Sequence, residues 1–332
     1  MTTLKDVAEH SGVSISIASR ILNGDASVRA RQETKDRVVR SAELLRYVPN
    51  SAGRNLRRSR TNLIALVVPD VTNATFADLA GAIESEAVER GYLMLLGSSQ
   101  EAQPGAPGFA RVLEERRVDG VILQKHDGAD AELVARSLSD PRRVVFVNSG
   151  PVTEVSSVAL PDRAAARLAT EYLQRRGHER IGFVGGLAGT GTEREEGVRE
   201  ALADGGAALA FATHLGYTLA AGRDAARILL TRENRPTALV VANVNAAFGV
   251  LLEARELGIR VPDDLSIVAI HDVEHAVLTD PGLTTVRMPM EQLGRAAVAA
   301  LVRRIDGGEV EHLTVEGDVE VIERGSVADA AG

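Results

Sequence analysis

The chain has 332 residues, with no cysteine, no tryptophan and a formal net charge of −8. Apolar residues make up 45% and charged residues 25% of the chain, a globular composition that argues against a disordered or fibrous protein. The absence of cysteine excludes disulfides, thiolate metal ligands and thiolate nucleophiles. The longest apolar run, Ala296 to Val302, is far shorter than the ~20 residues that cross a bilayer. Because the first residues also lack an apolar signal segment, we expect a cytoplasmic protein that does not enter a membrane.

Basic residues are concentrated at the amino end. Residues 1–60 contain 12 basic and 6 acidic side chains, whereas the rest of the chain contains 26 and 40. A small basic head beside a large acidic body predicts that only the head meets a polyanion such as nucleic acid. A solvated basic helix face would give the same asymmetry.

The head has the pattern of short helices separated by tight turns. Thr3 and Asp6 match a capping box, and Leu4, Val7 and Ala8 then fall on one helical face. A second helix is predicted from about Ile15 to Leu22. The residues expected to face outward from it are Ile15, Ser16, Ser19 and Arg20, and those expected to be buried are Ala18, Ile21 and Leu22. Two short helices joined by a glycine-containing turn are typical of a helix-turn-helix, whose second helix enters the major groove of DNA.

A third helix is predicted to complete the head, from about Gln32 to Leu45. Its packing residues are expected to be Val38, Val39, Ala42 and Leu45.

These segments resemble the headpiece of the lactose/galactose repressor (LacI/GalR) family. The matching head segments are Thr3–Ser14, Ala18–Gly24, Tyr47–Asn50 and Arg54–Arg57. Further matches lie at Leu63–Asp70, Arg176–Phe183, Leu257–Asp264 and Leu283–Arg287, so that the resemblance covers nearly the whole chain. It implies a homodimeric transcription regulator, with repression as the expected direction, in which a helix-turn-helix head precedes a periplasmic-binding-protein-like body. The DNA site is then expected to be a pseudo-palindromic operator.

The resemblance also implies roles for residues of the head. Ile15, Ser16 and Arg20 match the base-reading positions, and an arginine there can bond guanine O6 and N7 with ~1–3 kcal/mol of discrimination. The residues expected to contact the DNA backbone are Ser14, Ser19, Asn23, Tyr47, Asn50, Arg54 and Arg57. The segment from Asn23 to Thr34 is about two residues longer than the family pattern.

Residues Asn50 to Arg58 match the family's hinge helix, which orders on operator binding and lies in the minor groove. Leu56 matches the leucine that is inserted between base pairs and kinks the duplex, although an ordinary linker leucine would also fit the position. Gly53 stands where the family has alanine, which costs ~1 kcal/mol of helix propensity.

After residue 62, apolar strand patterns alternate with amphipathic helices, which predicts an α/β fold of doubly wound, buried parallel sheets. The predicted strands are Leu63–Val68, Tyr92–Leu96, Gly120–Leu123, Val144–Val147, Ile181–Val184, Ala238–Ala242 and Ile267–Ile270. We therefore predict a DNA-binding headpiece (1–48), a hinge helix and linker (49–61) and a two-lobed effector-binding and dimerisation body (62–332). The family pattern implies an N-lobe of about 62–160 and 291–322, with 161–290 and the C-terminal end in a C-lobe.

Ligands of such folds bind beyond the carboxyl ends of the strands, here between the lobes. The residues that match family effector positions are Thr75, Phe76, Asn148, Arg194, Tyr217 and Asp272. A guanidinium such as that of Arg194 can bind a carboxylate, a phosphate or vicinal hydroxyls. Structural roles remain open for these residues, Asp272 included, since Arg194 would also fit a solvated helix face, and Phe76 and Tyr217 would fit the core.

The same region departs from the family pattern at several positions. The departures are Val244, Leu160-Pro161, His271 and the segment Asn73–Phe76. Each removes a group that would pair with a hydroxyl, and an unpaired hydroxyl in a buried site costs ~1–3 kcal/mol. Sugars and sugar derivatives remain candidate effectors, but a typical monosaccharide is disfavoured. A smaller, less polar or phosphorylated ligand is expected, or a regulator that has lost its effector.

Other classes of protein fit the sequence less well. His271 and His275 have a helical metal-ligand spacing, but no third ligand accompanies them. The glycines of Gly185–Gly191 lack the spacing of a nucleotide-binding fingerprint. No catalytic residue, metal or cofactor is therefore predicted. A solute-binding protein of transport would share the body fold, but it would need a signal segment and would lack the basic head.

Overall fold

The computed structural model describes residues 2–23, 25, 27–47, 60–99, 112–125, 131–136, 138–186 and 189–330. The chain forms two compact units, Met1–Arg60 and Thr61–Gly332, called the head and the body below. Among the described residues, no helix is both long enough and apolar enough to cross a membrane. The proposed hinge residues Asn50, Arg54, Leu56, Arg57 and Arg58 lie outside the described residues.

The described part of the head contains three helices, α1 (Leu4–Ser11), α2 (Ile15–Leu22) and α3 (Gln32–Leu44). The first two predicted helices are confirmed, and the third ends one residue before its predicted end. The capping box of α1 is present, because Thr3 Oγ1 accepts from the Asp6 amide at 3.3 Å and the Asp6 carboxylate accepts from the Thr3 amide at 2.7 Å.

The helices of the head pack around a small apolar core. Its buried residues are Val7, Ala8, Ala18, Val38 and Ala42, with Ile21, Leu22 and Leu45 packed against them. The predicted burial of Val39 is wrong, since 42% of this residue is exposed. Adjacent helical positions point in directions about 100° apart, so that Val38 takes the inward face and Val39 is turned toward solvent.

The described residues of the body form twelve strands. They are β1 (Leu63–Val68), β2 (Leu93–Ser98), β3 (Gly120–Leu123), β4 (Val144–Val147), β5 (Ser156–Ala159), β6 (Ile181–Gly185), β7 (Phe211–His214), β8 (Ala238–Val241), β9 (Ser266–Ile270), β10 (Thr284–Arg287), β11 (His312–Thr314) and β12 (Glu320–Ile322). The helices described are α4 (Thr75–Glu89), α5 (Ala131–Arg136), α6 (Asp162–Arg175), α7 (Thr190–Asp204), α8 (Leu219–Leu230), α9 (Val244–Glu256) and α10 (Met290–Ile305).

The strands form two six-stranded sheets. One has the order β11-β5-β4-β3-β1-β2 and defines the N-lobe, and the other has the order β12-β10-β9-β8-β6-β7 and defines the C-lobe. All neighbours pair in parallel except β10 and β12. The chain passes between the sheets after β5, between β10 and β11, and again between β11 and β12. Helix α10 packs on α4 and on the N-lobe sheet.

The seven predicted strands are confirmed to within two residues at each end, but five others escaped prediction. Strand β5 shows the reason, because its two serines interrupt any apolar pattern although both are buried. Ser156 Oγ accepts from the Glu311 amide at 3.1 Å, and Ser157 Oγ bonds His312 Nδ1 at 2.9 Å. The neighbouring segment therefore satisfies these buried hydroxyls.

Strand β2 differs from its predicted burial. It lies at the edge of the N-lobe sheet, and Leu93, Leu95 and Leu96 are between 46% and 65% exposed. An apolar edge strand of this kind is uncommon on a monomer surface, because it offers both backbone hydrogen bonds and apolar area to a partner.

Candidate functional site

A cavity of about 400 Å³ lies between the lobes of the body. Both sheets contribute the residues that follow the carboxyl ends of their strands, as expected for doubly wound folds. The N-lobe lining is Pro69, Asp70, Asn73, Thr75, Phe76, Gln124, Lys125, Asn148 and Met290. The C-lobe lining is Gly189, Thr190, Arg194, His214, Leu215, Gly216, Tyr217, Thr218, Asn243, Asn245 and His271.

The structure brings together five of the six residues selected from the sequence as effector contacts. Those in the lining are Thr75, Phe76, Asn148, Arg194 and Tyr217. Asp272 is elsewhere: its carboxylate accepts from Thr285 Oγ1 at 2.6 Å and from Arg324 Nη2 at 2.7 Å, in a separate groove.

His271 occupies the cavity position that the sequence assigned to its neighbour. Consecutive residues of a strand point to opposite sides, and His271 itself has a left-handed φ of 71° just beyond β9. A left-handed conformation is uncommon for residues other than glycine and is often found at functional sites. Asn148, also in the lining, has a φ of 47°.

The Arg194 side chain is buried in an ion pair with Asp162 at the first turn of α6. Arg194 Nε and Nη2 lie 2.8 and 2.7 Å from Asp162 Oδ1, and only 3% and 4% of the two side chains is exposed. Arg194 Nη1 donates to the Ala242 carbonyl, and Nη2 donates to His271 Nε2 at 2.9 Å. The expected structural alternative, a solvated Arg194, is therefore wrong.

These contacts determine the protonation of His271. Arginine has no hydrogen-bond acceptor, so His271 Nε2 accepts from Arg194 and the ring proton resides on Nδ1. Burial, with the neighbouring Arg194 charge, lowers the pKa of His271 well below its ordinary value. The imidazole is thus neutral, and its Nδ1–H group is buried without a partner among the described residues.

Burial acts in the opposite direction on Asp162. It raises the pKa of this carboxyl, and the Arg194 charge and hydrogen bonds oppose the rise. Since a guanidinium does not lose its proton in proteins, protonation of Asp162 would leave an unpaired buried cation. The pair is therefore ionised at neutral pH.

Aromatic and amide groups complete the cavity. Phe76 and Tyr217 supply apolar walls, and the Tyr217 hydroxyl bonds the Thr190 hydroxyl at 3.2 Å. A Cβ at Gly191 would lie 2.8 Å from that tyrosine oxygen and 2.5 Å from the Gly186 carbonyl, so that glycine is required for this approach. Asn243 Nδ2 donates to Thr75 Oγ1 at 3.4 Å and thereby links the lobes.

Several lining residues were missed by the sequence analysis. Gln124 and Lys125 directly follow β3, and Leu215 directly follows β7, so that position at a strand end was the available signal. His214, the last residue of β7, was also missed, and its imidazole pairs with the Glu195 carboxylate. Val244, noted as a departure from the family pattern, is buried in the C-lobe core.

In the head, α2 presents an exposed face with the predicted base-reading residues. Ile15 is 48% exposed, and Ser16 and Arg20 are also exposed. Ser14 caps the helix by accepting from the Ile17 amide at 3.3 Å. Asn23 Nδ2 donates to Ser19 Oγ at 3.2 Å. Tyr47 packs against the core of the head.

The loop after α2 holds Arg20 in place. Arg20 Nε donates to Asp25 Oδ2 at 2.8 Å, and Nη2 donates to Ser27 Oγ at 2.8 Å. Hydrogen bonds from Ser27, and then from Arg20, hold the pKa of Asp25 well below its usual value. The carboxylate therefore stays ionised, and the longer loop noted in the sequence supplies both partners of the arginine.

Among the described residues, no group of three or more His, Asp or Glu side chains is arranged to hold a metal ion.

Comparisons with known proteins agree on one family. Residues 3–50 match the model of bacterial regulatory proteins of the lacI family, and residues 170–327 match a periplasmic binding protein-like domain. The HTH-type transcriptional repressor PurR of Yersinia enterocolitica is 31% identical over 99% of this chain and 98% of its own length.

Solved structures give the same result. A LacI family transcriptional regulator from Mycobacterium smegmatis is 36% identical, with a TM-score of 0.75 over 80% of this chain and 99% of its own. The lac repressor dimer bound to operator and the anti-inducer ONPF is 26% identical, with a TM-score of 0.82 over 98% of this chain and 99% of its own. The regulator CelR in complex with cellobiose is 28% identical, with a TM-score of 0.70 over 98% of this chain and all of its own.

We predict that Arg194→Ala destabilises the body by ~3–5 kcal/mol, because Asp162 then remains as an unpaired buried charge. The neutral double variant Asp162→Asn/Arg194→Met should regain most of this loss. Arg163→Ala, which breaks exposed pairs with glutamates, is the matched control and should cost at most ~1 kcal/mol. Denaturant unfolding of the four proteins measures the effect, and equal losses for Arg194→Ala and Arg163→Ala would contradict it.

The lowered pKa of His271 predicts a pH-dependent stability. The unfolded chain binds a proton near the ordinary pKa of 6.5 that the folded protein does not. Stability is therefore greatest above that pH and falls as the pH is lowered through it, by up to ~1.4 kcal/mol per pH unit for this group. His271→Asn should show a shallower fall between pH 7 and 5 in denaturant unfolding. Parallel curves for the two proteins would be inconsistent with a buried neutral imidazole.

Proposed function

The chain belongs to the lacI family of bacterial regulatory proteins, and we propose that it represses transcription by binding a specific operator with its head, under control of a small molecule held in its body. The observation that carries this proposal is the presence, in one chain, of a helix-turn-helix with an exposed second helix and of a cavity lined from two lobes. The family consists of DNA-binding transcription regulators, so that this pairing has a direct functional interpretation.

We assign the units as the sequence suggests. Residues 1–48 are the DNA-binding headpiece, 49–61 the hinge helix and linker, and 62–332 the effector-binding and dimerisation body. Ile15, Ser16 and Arg20 contact base edges in the major groove. The phosphate and sugar contacts come from Ser14, Ser19, Asn23, Tyr47, Asn50, Arg54 and Arg57. Leu56 is the minor-groove wedge.

The body changes DNA affinity through the relative arrangement of its lobes. A ligand that contacts Thr75, Phe76 and Asn148 on the N-lobe and Arg194 and Tyr217 on the C-lobe favours one arrangement over others. It shifts the population by no more than its differential affinity for the two states. Asp272, which lies outside the cavity lining, is left out of this set.

A homodimer is the assembly that the surface favours. Leu93, Leu95 and Leu96 form an apolar patch on edge strand β2, where a second copy of the chain would cover them. Two heads related by a two-fold axis require an operator with two related half-sites. The solved lac repressor described above is a dimer bound to operator.

We propose a binding protein rather than an enzyme, acting in the cytoplasm where the DNA is. In the described lining, the buried Arg194 is engaged by Asp162, and the neutral His271 has no hydroxyl nucleophile among its partners. These groups suit recognition of a ligand rather than its conversion.

The test is selection of DNA sites from a random library, followed by fluorescence anisotropy on the selected site. We expect a pseudo-palindrome, bound with an affinity that falls linearly on a log–log plot as salt is raised. Absence of DNA binding at low salt, or binding with no sequence preference, would reject the proposed function.

We predict that Arg20→Ala lowers discrimination at one base pair of each half-site by ~1–3 kcal/mol. Asp25→Asn should reduce the same preference, because it removes the carboxylate that positions the guanidinium, without lowering affinity for unrelated DNA. Asp36→Asn, which makes the same charge change on α3, is the control. Competition binding with single-base operator variants measures all three. An unaltered preference in Arg20→Ala would exclude a base contact.

We predict that Leu95→Glu shifts the chain from dimer to monomer, since two buried carboxylates would face each other across the interface. Ile228→Glu, on the exposed face of α8 and 46% exposed before substitution, should stay dimeric. Sedimentation analysis should give twice the chain mass of 35.2 kDa for the wild type. A dimeric Leu95→Glu protein would place the interface elsewhere.

A further inference from the structure

The positive charge of Arg194 is cancelled inside the protein. All three guanidinium nitrogens have protein acceptors: Nε and Nη2 bond Asp162, Nη1 bonds the Ala242 carbonyl, and Nη2 also bonds His271. Arg194 and Asp162 are both almost completely buried. A carboxylate or phosphate arriving in the cavity would have to displace Asp162 or add a second negative charge beside it.

The other charges at the described lining also occur with opposite signs. Lys125 and Asp70 contribute one positive and one negative charge, and the Glu195 carboxylate, which bonds the His214 imidazole, forms an ion pair with Arg199. His271 contributes no charge, because it accepts from Arg194 through Nε2 and has its single proton on Nδ1. The described lining therefore offers no arginine or lysine charge without an acidic counterpart for an anionic ligand to neutralise.

Two buried polar atoms of the lining lack hydrogen-bond partners among the described residues. One is the donor His271 Nδ1–H, in a residue that is 4% exposed, and the other is the acceptor Gln124 Oε1. Leaving such atoms unpaired costs ~1–3 kcal/mol each. The backbone amide of Gln124 donates to the Val67 carbonyl at 2.9 Å, which fixes the main chain at this residue. His271 follows the C-lobe strand β9, and Gln124 follows the N-lobe strand β3, so that the two atoms belong to different lobes.

We propose that the cavity takes an uncharged ligand that accepts a hydrogen bond from His271 Nδ1–H and donates one to Gln124 Oε1. This inference rests on the proposed function, which makes the cavity the effector site, and it specifies the chemical class of the effector. Neutral polyols, lactams and nucleosides offer such a pair of groups, whereas their phosphates and acids add a charge that the cavity does not offset. Because the two bonds reach different lobes, this ligand favours the arrangement in which both form.

The test uses ligand pairs that differ in charge. D-ribose and ribose 5-phosphate, D-glucose and D-glucuronate, and inosine and inosine 5′-monophosphate are titrated calorimetrically into the full-length dimer. We expect at least one neutral member to bind, with at least ten-fold preference over its anionic partner. Tighter binding of the anionic members would overturn the proposal, and would mean that the amino end of α7 at Gly189 and Thr190 attracts the anion.

The variant Asp162→Asn tests the charge balance directly. It keeps the shape of the side chain and leaves the Arg194 charge uncompensated, so that the preference should move at least ten-fold toward the anionic member of each pair. Asp204→Asn, which makes the same change in an exposed pair with Arg167, is the control and should bind like the wild type. An unchanged preference in folded Asp162→Asn would show that Asp162 does not set the charge of the site.

Two further measurements do not depend on the folding of Asp162→Asn, and the first of them also applies if no pair binds. Nitrogen-15 NMR of histidine-labelled protein should show a neutral Nδ1–H imidazole for His271 from pH 6 to 8. An Nε2–H or doubly protonated ring would reject the proposal. Gln124→Leu should weaken the preferred neutral ligand at least five-fold, since ~1 kcal/mol corresponds to about that factor. Unchanged affinity in this variant would exclude the Gln124 contact.

Anisotropy on the selected operator separates this inference from the proposed function. Neutral-selective binding without any change in operator affinity would support the ligand class and reject effector control. Operator affinity that responds only to an anionic ligand would support effector control and reject the ligand class.

Discussion

The buried ion pair between Arg194 and Asp162 is the interaction on which the rest of the ligand site depends. It joins α7 to the first turn of α6, and the same guanidinium reaches the end of β8 and the imidazole that follows β9. Four segments of the C-lobe thus meet at one side chain. A buried pair of this kind adds little net stability compared with apolar packing, but loss of either partner is costly. Its main effect is therefore to fix the geometry of the segments that it connects.

That geometry explains why His271 acts as a donor. With Nε2 occupied by Arg194, the ring proton has one remaining position, and burial keeps the ring neutral. An aspartate at the same place would offer only acceptors and would add a negative charge beside Asp162. His271 in this position thus gives the cavity a neutral hydrogen-bond donor in place of the acidic group expected from Asp272.

The fold was predictable from the sequence where local pattern and tertiary environment agree. Thr3 and Asp6 mark the start of α1, and the all-apolar runs mark the central strands, because a strand buried on both faces has to be apolar throughout. Prediction failed where burial is polar, as at Ser156 and Ser157, whose hydroxyls are satisfied by a segment about 155 residues away. It also failed at β2, whose apolar residues are exposed because the strand lies at a sheet edge. No local pattern distinguishes an edge strand from a central one.

The sequence predicted that the site lies at the strand ends, but it did not predict every residue that lines the cavity there. Arg194 and Phe76 were found by resemblance, whereas the choice between His271 and Asp272 depended on one left-handed residue that turns the chain at the end of β9. Gln124 was missed because an amide after a strand has no distinguishing pattern, and its importance arises only from the absence of a partner for its oxygen. Unsatisfied atoms are properties of the folded molecule. They arise when three-dimensional packing removes water from a polar group, and among the described residues they mark one lining group on each lobe that the proposed ligand would satisfy.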